Sequence, residues 1–375
     1  MKVMIVTPYY YPKIGGLENY ARQLGITLRE NENVEIVVVT SNHLSKVMQI
    51  DLVDNVNVYR LPYWFRISNT PVNPLWAFML RKIITIEKPD IIHAHTPVPT
   101  LADAAAIAAG KTPLVITYHA ATLYKKNLTP FNLVVAAYQA YEQITLSRAV
   151  KIFAVSQYVK DNLPHRLLNK IEVIPNSVPT DYIKQTPNED SKHYIFIGSL
   201  DKSHSWKGLK EMIEAFAEYS LVYGTNIFLT VIGDGNARGD YEAMVKKKHL
   251  ENTITFVGSK TGINRDAYLE QSVALIAYPT TSNDAFPTVF LEAWAKGIPV
   301  IAAAIGPIPS LIDDGINGYL ADPNNPKALA NVIHRVENDT DGRKLVASLA
   351  KERVRNYFTW EQQAKATMKI YSEIL

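Results

Sequence analysis

The stretch "NSVPTDYIKQTPNEDSKH" (176–193), followed at once by "YIFIGSL" (194–200), divides the chain in two. Its first part is polar, carries Pro179 and Pro187, and has no apolar period, so it reads as a linker. Its second part is an apolar run that stops at Gly198. The chain start has the same design, where "VMIVTP" (3–8) leads into Gly15-Gly16 and an amphipathic segment with Leu17, Ala21 and Leu24. One strand-then-glycine opening on each side of a linker predicts two Rossmann-like, doubly wound α/β domains. The boundaries fall at 1–180 and 190–357, with a C-terminal helix of about 358–375 packing back on the first domain.

On both sides of the linker, short apolar runs alternate with amphipathic ones. They are 3–8, 34–40, 57–61, 90–95, 113–119, 151–156 and 170–175 before the linker, and 193–199, 227–233, 254–258, 273–279 and 299–304 after it. Nearly continuous apolar strands between helices predict parallel sheets covered on both faces. Ligands in such sheets lie outside the carboxyl ends of the strands, so two facing sheets predict a site in the cleft between domains.

Composition narrows the function. The chain has 375 residues, is 47% hydrophobic and has a net charge of +3, which does not call for nucleic acid. Residues 1–180 hold 18 Lys+Arg against 12 Asp+Glu, while 181–375 hold 21 against 24. The front half is the one suited to phosphates or anionic surfaces. There is no cysteine, hence no disulfide framework and no thiolate chemistry. The N-terminus reads as a first strand, and no run reaches the ~18 apolar residues of a membrane span. The expectation is a cytoplasmic protein, at most peripheral at the inner face of a membrane.

Four segments can carry chemistry. Gly15-Gly16 lets backbone approach a ligand at a helix start, where an anion is favoured. "VIGDGNARG" (231–239) has G-x-G-x-x-x-G spacing and no following ribose acid, so it reads as a strand-ending turn, not a dinucleotide fingerprint. In "GSLDKSHSWKGLKEMIEAF" (198–216), Lys207 at a helix start opposes the helix dipole, which suits a lysine reaching for a phosphate; Lys202, His204 and Trp206 are nearby options. In "NDAFPTVFLEAWAKGIPV" (283–300), Asp284 lies in the loop ahead of a helix that stops at Gly297 and Pro299, and Glu292 lies within it. On one helix the two acids would stand roughly 12 Å apart. That suits one extended ligand: Asp284 at one end, Phe286 beside it, the amides near Thr288 and Val289 on phosphate, and Glu292 on hydroxyls. His93 and His95 share one strand face without a third metal ligand in view. His119, at a strand end, is a functional candidate.

In this order the segments resemble the GT-B-fold retaining glycosyltransferases of family 4, the group of phosphatidylinositol mannosyltransferases and glycan-assembly enzymes. "PYYYPKIGGLENYARQL", "DIIHAHTP", "FIGSL…KGL", "VIGDG", "DAFPTVFLEAWAKGIPVIA" and "DGINGYLADP" carry the resemblance along nearly the whole chain. It implies a nucleotide-sugar donor, UDP- or GDP-linked, held mainly by the C-terminal domain, and transfer to an acceptor hydroxyl with retention of configuration. It implies Glu292 on the donor ribose, Asp284 near the donor sugar and Lys207 on the diphosphate. It also implies Gly15 and Gly16 closing over the phosphates, and His119 beside the sugar. No metal and no separate cofactor are expected. Asp284 stands where the family usually has Glu, Ser199 where it usually has Arg, and Pro287 where Gly is frequent. The expected acceptor is a glycan or lipid-linked glycan, since "YRLPYWFRISNTPVNPLW" (59–76) and "LYKKNLTPFNLVVAAYQAY" (123–141) mix aromatic and basic residues. Rival readings are a sugar-nucleotide epimerase of the same fold and an inactive sugar-nucleotide-binding protein.

Overall fold

The computed structural model describes residues 1–13, 15–42, 45–67, 70–120, 130–183, 191–224 and 226–375, without the side chains of 130–137. Lys125 and Lys126, and linker residues 184–190, lie outside the described residues. The chain divides into two units. Unit 1 is Met1–Asn176 with Trp360–Leu375, and unit 2 is Ser177–Thr359.

Unit 1 contains β1 (Lys2–Thr7), β2 (Glu35–Ser41), β3 (Gln49–Val53), β4 (Val56–Leu61), β5 (Phe65–Ile67), β6 (Thr70–Val72), β7 (Ile91–Thr96), β8 (Leu114–Tyr118), β9 (Lys151–Ala154) and β10 (Ile171–Val173). Eight of these form one sheet in the order β10-β9-β8-β7-β1-β2-β4-β3, while β5 and β6 make a separate antiparallel pair. All neighbours in the large sheet are parallel except β3 on β4. Unit 2 contains β11 (His193–Ile197), β12 (Phe228–Ile232), β13 (Ile254–Gly258), β14 (Ala274–Ala277), β15 (Val300–Ala303) and β16 (Tyr319–Ala321). Its order, β13-β12-β11-β14-β15-β16, is all parallel. Each unit is doubly wound α/β, the fold class expected from the alternating runs.

The central strands are apolar because both faces are covered. Val3, Met4, Ile5 and Val6 of β1 and Ala274, Leu275 and Ile276 of β14 are fully buried. In sheet order, each unit has a point where the chain changes direction of winding. It lies between β1 and β7 in unit 1 and between β11 and β14 in unit 2. Loops leaving the carboxyl ends of those strands diverge there and leave room for a ligand.

The last helix, Trp360–Ile374, belongs to unit 1. Trp360, Ala364, Ile370 and Tyr371 join Tyr20, Leu24 and Leu28 of the first helix, Gly16–Glu32, in one core. Gln363 donates to the Tyr20 hydroxyl at 2.6 Å. Among the described residues no helix is long and apolar enough to cross a membrane.

Candidate active site

In unit 2 the loops after β11 and β14 are stitched together. The Thr280 amide donates to the Trp206 carbonyl at 2.8 Å. Gly208 has φ +77, and a Cβ there would fall 1.7 Å from the Tyr278 carbonyl oxygen, so only glycine permits the approach. Lys207 therefore ends a 3-10 helix, Lys202–Lys207, and Gly208 separates it from the α-helix Leu209–Tyr223. The expected helix start at Lys207 is thus displaced by two residues. Its stem runs along Gly198, where an added Cβ would sit 3.3 Å from Nζ.

This stitching couples Lys207 to Asp284. Burial pushes the lysine below its ordinary pKa, and the negative charge of Asp284 opposes that shift. Burial pushes the Asp284 carboxyl up, opposed first by Lys207 and then by the amides of Phe286 and Ala285. The Phe286 N–H donates to Asp284 Oδ1 at 3.1 Å, an Asx-type turn that fixes the carboxylate. Pro287 caps the helix Thr288–Ala295, and Phe290 N–H returns to the Pro287 carbonyl at 3.1 Å. Thr288 and Val289 are half-buried in the first turn, whose amides have no intrahelical acceptor. Phe286 is buried, 5.9 Å from Phe358 between ring centres.

Glu292 follows one turn later, half-buried, with Arg265 Nη1 3.1 Å from Oε2. Burial raises the Glu292 pKa and Arg265 opposes it. The same guanidinium donates to Asp266 at 3.0 Å and to the Tyr182 hydroxyl at 3.1 Å, so its fork is held in three directions. Lys296 pairs with Glu270 at 2.6 Å and lies 4.9 Å from the centre of the Tyr182 ring. Arg265, Tyr182 and Lys296 had no signal in sequence spacing.

Other candidates lie apart from this group. Lys202 is exposed and pairs with Asp240 at 3.2 Å, and its amide meets Asn236 at 2.8 Å. Ser199 donates to Asp201 at 2.9 Å. "VIGDG" is a strand-ending turn: a Cβ on Gly233, at φ +156, would meet the Gly198 carbonyl at 1.9 Å.

In unit 1, Gly15 precedes the first helix with extended backbone, and Asn19 N–H donates to its carbonyl at 3.0 Å. A Cβ on Gly15 would strike Glu18 Oε2 at 2.3 Å, whereas Gly16 is open. Glu18 is buried, and Lys13 neutralises it at 3.7 Å. His119 follows β8; its amide bonds the Thr96 carbonyl at 2.9 Å and its Nε2 lies 2.9 Å from His95 Nδ1. His93 and His95 are buried, and the His93 nitrogens engage Tyr371 and Thr117. Among the described residues no group of three or more His, Cys, Asp or Glu is placed to hold a metal ion.

Two family models match consecutive parts of the chain. "Glycosyltransferase Family 4" covers residues 14–182 and "Glycosyl transferases group 1" covers 179–353. An uncharacterized glycosyltransferase of Methanocaldococcus jannaschii is 25% identical over 99% of this chain and 98% of its own. A phosphatidyl-myo-inositol mannosyltransferase of Mycobacterium leprae is 24% identical over 100% of this chain and 97% of its own. Anabaena HepE in complex with UDP superposes with a TM-score of 0.75 at 20% identity, covering 100% of both chains, which shows the shared GT-B fold.

Proposed function

Because the chain belongs to the GT-B-fold family 4 glycosyltransferases, we propose that it moves a sugar from a nucleoside diphosphate sugar to an acceptor hydroxyl with retention of configuration. One observation carries the reading: Lys207 and Asp284 emerge from the two strands flanking the switch of winding in unit 2 and are electrostatically coupled there. A half-buried ammonium is suited to a leaving diphosphate, whose charge grows in the transition state. First-turn amides at Thr288 and Val289 add dipoles to the same task. Glu292, oriented by Arg265, takes ribose hydroxyls, and Asp284 with Phe286 faces the sugar. Gly15, Gly16 and His119 are proposed as further donor contacts, and Lys202 as a peripheral one. The leaving phosphate takes the acceptor's proton in a front-face attack. The reading assigns charge neutralisation to Lys207 and amides, with no metal and no cofactor beyond the donor. UDP is the favoured nucleotide, since it is what HepE holds.

The acceptor is proposed to be lipid-linked, reached from the cytoplasmic face of a membrane. Two facts support it. On and beside the β5–β6 pair, Trp64 (55% exposed), Phe65 (48%) and Ile67 (54%) stand out with Arg66 among them. The Mycobacterium leprae relative is named for a phosphatidylinositol acceptor. Such a surface is expected to bind phosphatidylglycerol-containing vesicles over pure phosphatidylcholine, and Trp64→Ser with Phe65→Ser to abolish sedimentation with them.

A panel of UDP-glucose, UDP-N-acetylglucosamine and GDP-mannose tests the reaction. At least one is expected to be hydrolysed or transferred and to raise the melting temperature. If none does either, the transferase reading fails.

A further inference from the structure

Three imidazoles of unit 1 form a column. His93 and His95, two apart on β7, stack at 5.0 Å and 15°; His95 and His119 stack at 5.2 Å and 29°. Tyr20 meets His95 and His119 edge-on. Burial keeps all three rings neutral: it pushes His93 and His119 down to about 3, and His95 well below its ordinary value. A neutral imidazole carries one N–H. In the 2.9 Å contact between His95 Nδ1 and His119 Nε2, one nitrogen therefore donates and the other accepts. His95 Nε2 decides which. It is buried and meets no partner among the described residues. Were His119 the donor, His95 would carry its proton on Nε2, a buried N–H with no acceptor among the described residues. Were His95 the donor, Nε2 would be a bare lone pair. Orphaned buried donors are the rarer and costlier case.

We infer that His95 donates Nδ1–H to Nε2 of His119 and so holds His119 in its Nδ1–H tautomer. His95 is a positioning residue. It leaves His119 an N–H donor at Nδ1, matched to hydroxyl or phosphate oxygens. With Nε2 occupied and Nδ1 protonated, His119 has no lone pair with which to act as a general base. That agrees with a reaction in which the leaving phosphate takes the proton. The functional half of the inference rests on the proposed role of His119; the proton assignment does not.

The test uses the full chain labelled with 15N-histidine and two-bond 1H–15N correlation at pH 7.5, His119 being assigned from the His119→Gln spectrum. His119 is expected protonated on Nδ1 and bare on Nε2, and His95 protonated on Nδ1. His95→Asn keeps a side-chain N–H near the position of Nδ1 and is expected to keep the His119 tautomer; His95→Leu is expected to release it toward Nε2–H. On the panel donor that turns over fastest, His95→Leu is expected to lose about tenfold in kcat/KM, the scale of one hydrogen bond, with His95→Asn within about threefold of the parent chain. A proton on His119 Nε2 in the parent chain, or an unchanged tautomer in His95→Leu, overturns the inference. If His119→Gln keeps full turnover while the tautomers are as stated, the role of His119 fails and the assignment of protons stands.

Discussion

Lys207 and Asp284 are a pair in which each partner limits the other's burial penalty. Lys207→Ala removes the ammonium, and a loss of about 100-fold in kcat/KM is expected, the size of one preorganised electrostatic contact. Burial lowers the lysine's pKa, so the charged form is lost at a lower pH than for an exposed lysine. The alkaline limb of kcat/KM is expected below 10.5, and Lys207→Arg to move it upward. A limb that stays put in Lys207→Arg removes Lys207 from the reaction. Glu292 presents the complementary case, because its orientation depends on Arg265. Arg265 binds in three directions at once, so Arg265→Lys is expected to fail as a replacement. Both Arg265→Ala and Arg265→Lys should raise the donor KM about tenfold with kcat less affected. Equal KM values in initial-rate measurements would detach Arg265 from the donor. Nothing in the spacing pointed to this residue. It lies 27 positions before Glu292 on another helix, and only the folded chain brings the two side chains into an ion pair.

At the scale of elements, legibility followed burial. The central parallel strands are covered on both faces, so β1, β2, β7, β8, β11, β12, β14 and β15 read as nearly continuous apolar runs. The strands without a sequence signal sit at edges or outside the sheets. Edge strand β3 exposes Ile50 and Leu52, β5 and β6 are three residues each, and β16 closes the second sheet with three. The two loops carrying Lys207 and Asp284 were legible as loops after strands. Their stitching through Trp206, Gly208, Tyr278 and Thr280 was not, since it depends on β11 and β14 being neighbours. The helix Pro130–Arg148 brings a further buried carboxyl into play. Glu142 accepts from Thr96 at 3.2 Å and Tyr118 at 3.3 Å, at the ends of β7 and β8. Burial pushes it up to about 7 from 4.5. A raised carboxyl contributes stability below its unfolded pKa and loses it as pH rises through the folded one, here between 4.5 and about 7. Glu142→Gln is therefore expected to match the parent chain near the lower value and to exceed it above the upper one by at most about 3 kcal/mol. Urea unfolding at both ends of the window checks this, and an offset independent of pH would refute it.

Across the whole molecule, unit 1 is built from two separate stretches of chain. The chain leaves unit 1 at Asn176 and comes back at Trp360. The exit and return run side by side, with Val178 N–H on the Phe358 carbonyl at 2.9 Å and Val178 bridged to Thr359. The returning helix contributes three large side chains to the unit 1 core: Trp360 at 4% exposure, Ile370 at 8% and Tyr371 at 0%. At about 1.5–3 kcal/mol for each large apolar side chain, their burial is worth roughly 5–9 kcal/mol, comparable with the whole stability of a domain at about 5–15 kcal/mol. A chain ending at Thr359 is accordingly expected to lose cooperative folding of unit 1 alone. Hydrogen exchange should accelerate across β1, β7 and the helix Gly16–Glu32, while β11, β14 and β15 keep their protection. A milder variant isolates the polar part: Tyr371→Phe withdraws the partner of His93 Nδ1 and should cost about 1–3 kcal/mol, confined to unit 1. If truncation instead leaves unit 1 exchange unchanged, the last helix is an appendage and not a part of that core. If it accelerates exchange in both units equally, the two do not unfold as separate cooperative bodies.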